Sequence, residues 1–555
     1  MKEELTKNKI AIFIFLSSTL ISFILGELYF YSTRGMDYGK YQTFLSYFQG
    51  RTDSTGQGQG ILYYYLIAFI SDIRLSLLNN INLSSFLSSN IQILNLLLYL
   101  FGLRGFYIIL KNYRFSTSVI LYSFSFLNFF PPAFEMRLLM KPEIAAFAFL
   151  PWLVLLVDKL FQKFDYKYLA LASVTASIIF TLKGSILGMV SLFLFIKYIK
   201  KIYLNRRRLI IFITVFVIIF SSIYIENFNV NQIHLLDHDS EEYEAWQNKA
   251  SINFLYHLNK WDFYYFPIRH YHNNSLIGIT LFDTFGDYFD LSFNSDSSYF
   301  NYERQKLFSE GFLKTYSRQY LALFVALVFY LLLFIFFVKQ KKYRIYLFSP
   351  LIGIVILLVN AFGFPNLNFD PLTGDTFKVH YYSFFLTISF IFLSVLLLKT
   401  NKILGFIVLI FFSLSSIYVV GFPKTNENNI GYYLSSRNSV SPFCSLTNLI
   451  FDEKNRSNCN KPENMCLYNP LAERVNAETI EQKDEVNYIL NPIDIKNNDG
   501  LIYTTKSSQE CINLIKEGSK FDNKLYENLR RPPLINLLYF LIALFINPYI
   551  LKREL

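Results

Sequence analysis

Lys9-Ile10-Ala11-Ile12-Phe13-Ile14-Phe15-Leu16-Ser17-Ser18-Thr19-Leu20-Ile21-Ser22-Phe23-Ile24-Leu25-Gly26-Glu27-Leu28-Tyr29-Phe30-Tyr31 is followed, after Ser32 and Thr33, by Arg34-Gly35-Met36-Asp37-Tyr38-Gly39-Lys40-Tyr41. The first stretch exceeds the roughly 20 apolar residues that a helix needs to cross about 30 Å of hydrocarbon. It is too long for a signal peptide and has no small-residue cleavage site, so it is expected to stay in place as the first span. The second stretch sets a carboxylate and an aromatic just past the membrane exit, with no other acid beside them. Asp37 is then either an interfacial residue solvated at a helix end or a general base at the membrane surface, acting on a substrate that arrives from the lipid.

The rest of the chain repeats the first pattern. Of 555 residues, 53% are hydrophobic and 19% aromatic, which excludes an ordinary soluble globular protein. Apolar runs at 9–31, 88–110, 115–133, 141–160, 167–182, 184–199, 208–226, 317–338, 344–363, 379–398, 402–421 and 535–551 predict a polytopic α-helical membrane protein of about 12 spans. The run 61–73 is too short to cross and reads as an interfacial or re-entrant helix. Heavy use of Phe, Ile, Tyr, Asn and Lys resembles the output of an AT-rich genome and points to a bacterium, hence to the inner membrane.

Lysine and arginine set the orientation. With the N-terminus inside, the cytoplasmic joints are 2–9, 111–114, 159–167, 197–208, 339–344, 399–402 and 552–553, and each is basic. Both termini are then cytoplasmic. The net charge of +11 is a topology signal, and nucleic-acid binding is not needed to explain it. The closing Lys552-Arg553-Glu554-Leu555 resembles a retrieval signal but falls on the wrong side of the membrane.

The cysteines agree with this orientation. Cys444, Cys459, Cys466 and Cys511 all fall in the polar segment 423–533, placed outside, where up to two disulfides are expected in an oxidising compartment. Three connectivities stay open; a zinc site is the alternative, without CxxC spacing to support it. The domains read as a transmembrane unit 1–422 with external loops 32–87 and 227–316, a small α/β-type external domain 423–533, and a terminal helix in 534–555. Within 423–533, residues 501–505 read as a strand and 508–517 as a helix.

Candidate chemistry gathers on the outer side. Lys378, His380, Lys183, Arg137 and Lys141 are cations at outer ends of spans, where an anionic head group would lie. Ordinary interfacial anchoring is the alternative for Lys378 and His380. Lys183, in the tight joint between two short spans, needs a partner to be tolerated there. Pro142 suggests a helix start with Glu143 near its positive end. In the long loop, Asp237-His238-Asp239 is a short acidic motif able to hold Mg²⁺ or Mn²⁺, although Ser240-Glu241-Glu242 makes it equally a helix cap. Asp283 and Asp287, with aromatics between them, would share one helix face and suit acceptor or sugar binding, or else an interfacial loop. His270 and His272 read as surface residues.

These features resemble the GT-C glycosyltransferases, polytopic enzymes that take sugar from a polyprenyl-phosphate donor. The branch holding the protein O-mannosyltransferases and the aminoarabinose transferases of lipid A is the most similar. Asp37 with Tyr41 stands where that family has its catalytic acid, and Gln59-Gly60-Ile61-Leu62-Tyr63-Tyr64-Tyr65-Leu66 is similar to the juxtamembrane helix that follows. Lys378-Val379-His380-Tyr381 resembles the element that meets the donor phosphate. Tyr38 departs from the pattern: many relatives carry a second acid there. The resemblance implies an inverting sugar transfer to an envelope acceptor outside the membrane, with Asp37 as base and the cations on the leaving phosphate. An O-antigen-type ligase or polymerase is the alternative; a transporter or flippase would want mid-membrane charges, and these spans carry almost none away from their ends.

Overall fold

The computed structural model describes residues 2–29, 44–45, 47–48, 53–55, 58–75, 83–231, 249–256, 276–285, 320–364, 377–420, 487–490, 501–504 and 529–553. Its helices are α1 (Lys2–Tyr29), α2 (Leu62–Leu75), α3 (Leu83–Asn112), α4 (Thr117–Leu127), α5 (Pro131–Leu138), α6 (Glu143–Gln162), α7 (Tyr166–Leu182), α8 (Gly184–Leu204), α9 (Arg206–Asn231), α10 (Leu276–Asp283), α11 (Tyr320–Lys339), α12 (Ser349–Gly363), α13 (Ser383–Thr400) and α14 (Lys402–Val420). A last helical stretch begins at Leu534 and runs through a π-turn to Arg553. Two strands, Asn487–Leu490 and Leu501–Thr504, pair antiparallel, Leu490 opposite Leu501. The helix expected at 508–517 lies outside the described residues.

The chain is a helical, membrane-embedded protein. Among the described residues, 7 helices are long and apolar enough to cross a bilayer, or 8 if the bent pair Lys341–Leu347 and Ser349–Gly363 is one span. Of the remaining expected spans, α4 and α7 fall short by length and α8 by charge. The 115–133 run breaks because Asn128 ends α4 and Pro131 and Pro132 open α5; proline lacks the donor that would continue the first helix. The 344–363 run bends by 42° ahead of Pro350 for the same reason. Helix α8 is 21 residues long but carries Lys197, Lys200 and Lys201 near its end. Apolar run length alone counts such segments as equals of the seven.

Small residues allow the closest helix contact. A Cβ on Gly102 or Gly105 of α3 would come within 2.8 Å of Phe147 and Pro151 of α6, the close backbone approach by which helices associate in a medium as apolar as their side chains. Trp152 of α6 donates its indole N–H to the Phe101 carbonyl at 3.2 Å. Helix α13 is buried from Ser383 to Leu398 and forms the centre of the bundle.

Polar stitches hold the peripheral helices. Asn128 donates to Ser18 and Thr19 of α1 at 2.9 and 3.0 Å, Arg137 to Ser22 at 3.0 Å, and Gln92 to the Gly26 carbonyl at 3.2 Å. At the far end of α9, the Glu226 carboxylate accepts from the backbone N–H groups of Ile535 and Asn536 at 3.1 and 2.8 Å. That satisfies two of the donors a helix start leaves open and sets a negative charge at its positive pole.

Candidate functional site

The candidate site grows from three breaks in helical structure. The first is the turn between α5 and α6. Leu139 is extended, Lys141 N–H bonds back to the Leu139 carbonyl at 2.9 Å, and Pro142 caps α6. Glu143 thus opens α6, where a carboxylate is favoured by the helix dipole. The second is Lys183, a single extended residue (φ −167°, ψ 143°) that ends α7 and starts α8. The third is Lys378, also extended, which leads into a 3₁₀ turn at Val379–Tyr382 and so into α13. Chain breaks of this kind present side chains that a continuous helix would point sideways.

Together they gather cations around one tyrosine. The Lys183 ammonium lies 3.7 Å from the Tyr381 ring centroid, with Lys378 at 5.9 Å and Lys141 at 6.0 Å. Lys141 Nζ is 2.8 Å from His380 Nε2, within hydrogen-bond reach. Lys183 Nζ also pairs with Glu143 Oε1 at 3.1 Å, and the carboxylate is almost wholly buried. The partner that Lys183 was expected to need is therefore Glu143. Lys141, His380 and Lys378 are buried as well. For Lys378 this corrects the interfacial-anchor reading: the side chain is 7% exposed, because the 3₁₀ turn packs against α5, α6, α10 and α12.

Asn95 holds the first break open. Its amide nitrogen donates to the carbonyls of Arg137 and Leu139, both at 2.9 Å, and its oxygen accepts from the Tyr63 hydroxyl at 2.9 Å. The Tyr63 phenol has its acidity suppressed, pushed well above the ordinary tyrosine value by burial. Tyr63 stood out in the sequence only within the Gln59–Leu66 segment, and Asn95 not at all; the available signal was a set of polar residues, Asn90, Gln92 and Asn95, inside an apolar run.

Arg137 does not join the cluster. Its guanidinium donates to Ser22 and to the Asn128 carbonyl at 3.0 and 2.9 Å and lies over the Tyr99 ring at 4.9 Å. It ties α1 to the turn after α4 as a buried cation, its basicity lowered by desolvation. Asp283 is buried at the end of α10. The helix stops there, and Thr284 and Phe285 form a turn. Phe285 is fully buried, with Phe130, Phe412 and Phe329 at 5.4, 5.5 and 5.7 Å. An aromatic that finds other aromatics in the core gains more than one left at the interface.

Asp37, Tyr41, Asp237, Asp239, His270, His272, Asp287, Cys444, Cys459, Cys466 and Cys511 lie outside the described residues. Among the described residues no group of three His, Cys, Asp or Glu side chains converges to hold a metal.

Gly60 locks the loop before α2 onto the α7–α8 joint. Its N–H donates to the Leu182 carbonyl at 3.1 Å, and a Cβ would sit 2.6 Å from the Thr181 carbonyl oxygen. Gly60→Ala is expected to destabilise the folded protein by about 1–3 kcal/mol through overpacking. It should also shift Lys183, which follows Leu182. A melting temperature equal to the parent's would show that the loop yields freely.

No family model, curated protein or solved structure matches this chain.

Proposed function

We propose that this protein is an integral membrane glycosyltransferase of GT-C type, moving a sugar from a polyprenyl-phosphate donor to an envelope acceptor. One observation carries the reading: Lys141, Lys183, Lys378 and His380, drawn from three distant parts of the chain, meet around Tyr381. Ammonium groups gathered at a helix end suit a phosphate leaving group, whose developing charge they stabilise. Tyr381 supplies an apolar face beside that charge for the sugar or the first isoprene unit. The same end of the bundle receives α1, whose C-terminus leads within eight residues to Asp37. Asp37 is the base in this reading, taking the proton of the acceptor hydroxyl as it attacks the anomeric carbon and displaces the lipid phosphate, with inversion.

The finer topology belongs to the same proposal. The chain crosses about 12 times, with α4, α7 and α8 as short or charged spans, and both termini lie in the cytoplasm of a bacterium. Loops 32–87 and 227–316 and segment 423–533 then face the extracytoplasmic side, where the cysteines of 423–533 are oxidised.

The test is transfer itself. Purified protein in proteoliposomes, given a radiolabelled polyprenyl-phosphate sugar and envelope lipid extract, is expected to move label out of the donor and release polyprenyl phosphate. Label that crosses the bilayer still attached to its donor would make the protein a carrier. Label that stays put with every acceptor fraction would remove the glycosyltransferase reading.

A further inference from the structure

The opposite end of the bundle carries a second gathering of lysines on aromatic rings. Lys197 donates to the Tyr346 hydroxyl at 3.0 Å and lies 3.8 Å from Asp158, which Lys201 approaches to 3.6 Å. Tyr346 leads to Tyr113 (6.2 Å between rings), and Lys342 lies 4.8 Å above Tyr113. Tyr113 meets Tyr343, Tyr343 meets Phe115, and Lys399 lies 5.1 Å from the Phe115 ring. Four ammonium groups are thus strung along one continuous band of rings, and among the described residues Asp158 is the carboxylate that pairs with any of them. Lys201, Lys342 and Lys399 are exposed.

The band borders an apolar wall. On α8, the helix that carries Lys197 and Lys201, Phe195, Ile196, Ile199, Tyr203 and Leu204 are exposed, Leu204 to 78%. Exposed apolar surface beside a row of ammonium groups, four of them against the single carboxylate of Asp158, matches a molecule that is acyl chain on one side and anion on the other. A dissolved anion has no use for the wall, and an acidic soluble protein would leave it bare. We propose that this rim binds anionic phospholipid head groups, their phosphates on Lys201, Lys342 and Lys399 and their chains along α8. Basic residues at such a rim attract an anionic leaflet, each contributing about fivefold in affinity. Lys197, half-enclosed between Asp158 and Tyr346, holds the rings in place and does not meet the lipid.

The experiment uses the full chain in a neutral detergent and needs no knowledge of its activity. Native mass spectrometry with added phosphatidylglycerol is expected to retain bound lipid where phosphatidylcholine of the same chain length is lost. Lys201→Gln/Lys342→Gln/Lys399→Gln should weaken phosphatidylglycerol retention on the order of a hundredfold, while the triple arginine variant, which keeps the charge, stays near the parent. Equal retention of both lipids, unchanged retention in the glutamine variant, or displacement of the lipid by millimolar inorganic phosphate would each overturn the proposal. A glutamine variant that melts far below the parent would show a structural role for these lysines and overturn it too.

Discussion

Asp37→Asn is expected to slow sugar transfer by roughly 10²–10⁴ while leaving expression and donor binding near those of the parent. The substitution keeps the shape and the hydrogen-bonding capacity of the side chain and removes only its charge and basicity. A solvated helix-end aspartate would respond very differently, changing stability by a few tenths of a kcal/mol and activity not at all. Asp53 is the matched control in the same stretch of chain. It is exposed and paired with Arg530 at 3.1 Å, and a surface pair of this kind contributes little, so Asp53→Asn should transfer at the parental rate. Transfer by Asp37→Asn at a rate within a factor of a few of the parent's would reject Asp37 as the base, even with sugar transfer itself established.

The helical, membrane-embedded character was legible because run length and the placement of basic residues are additive signals, each joint repeating the evidence of the last. The same additivity misjudged elements wherever one residue breaks the run. Pro131 and Pro132 divide a stretch that hydropathy reads as continuous, and Pro350 opens a new helix within another. In the site, the cations were legible by type and position: a lysine in a one-residue joint between helices is costly unless paired, and Lys183 is paired. Direction was not legible. Nothing local in the sequence says that Arg137 turns toward Ser22 while Lys141, four residues later, turns toward His380. That split depends on the extended turn at Leu139, and the turn depends on Asn95, some forty residues earlier in the chain. The surroundings of Phe285 were hidden for a related reason: an aromatic suits a membrane surface and a core equally well, and it is Phe130, Phe329 and Phe412 that offer Phe285 a place in the core.

Lys183→Ala is expected to cost about 3–5 kcal/mol of folding stability, because it strands the buried Glu143 carboxylate. Charge removal on both sides separates that effect from any role toward a ligand. Lys183→Ala/Glu143→Gln keeps the volume at position 143 but leaves no uncompensated charge, so most of the lost stability should return, read as the melting temperature of detergent-solubilised protein. Donor affinity should behave otherwise. Lys183 stacks closest to Tyr381, and a charge-assisted contact to phosphate is worth about 1.5–3 kcal/mol, so binding of a short-chain polyprenyl phosphate should fall roughly tenfold or more in the double variant as well. Recovery of both stability and affinity would mean that Lys183 serves only to neutralise Glu143, and the phosphate would then rest on Lys141, Lys378 and His380. A single variant as stable as the parent would mean that Glu143 is neutralised by another group or takes up a proton when Lys183 is gone, and the pair would lose its structural role.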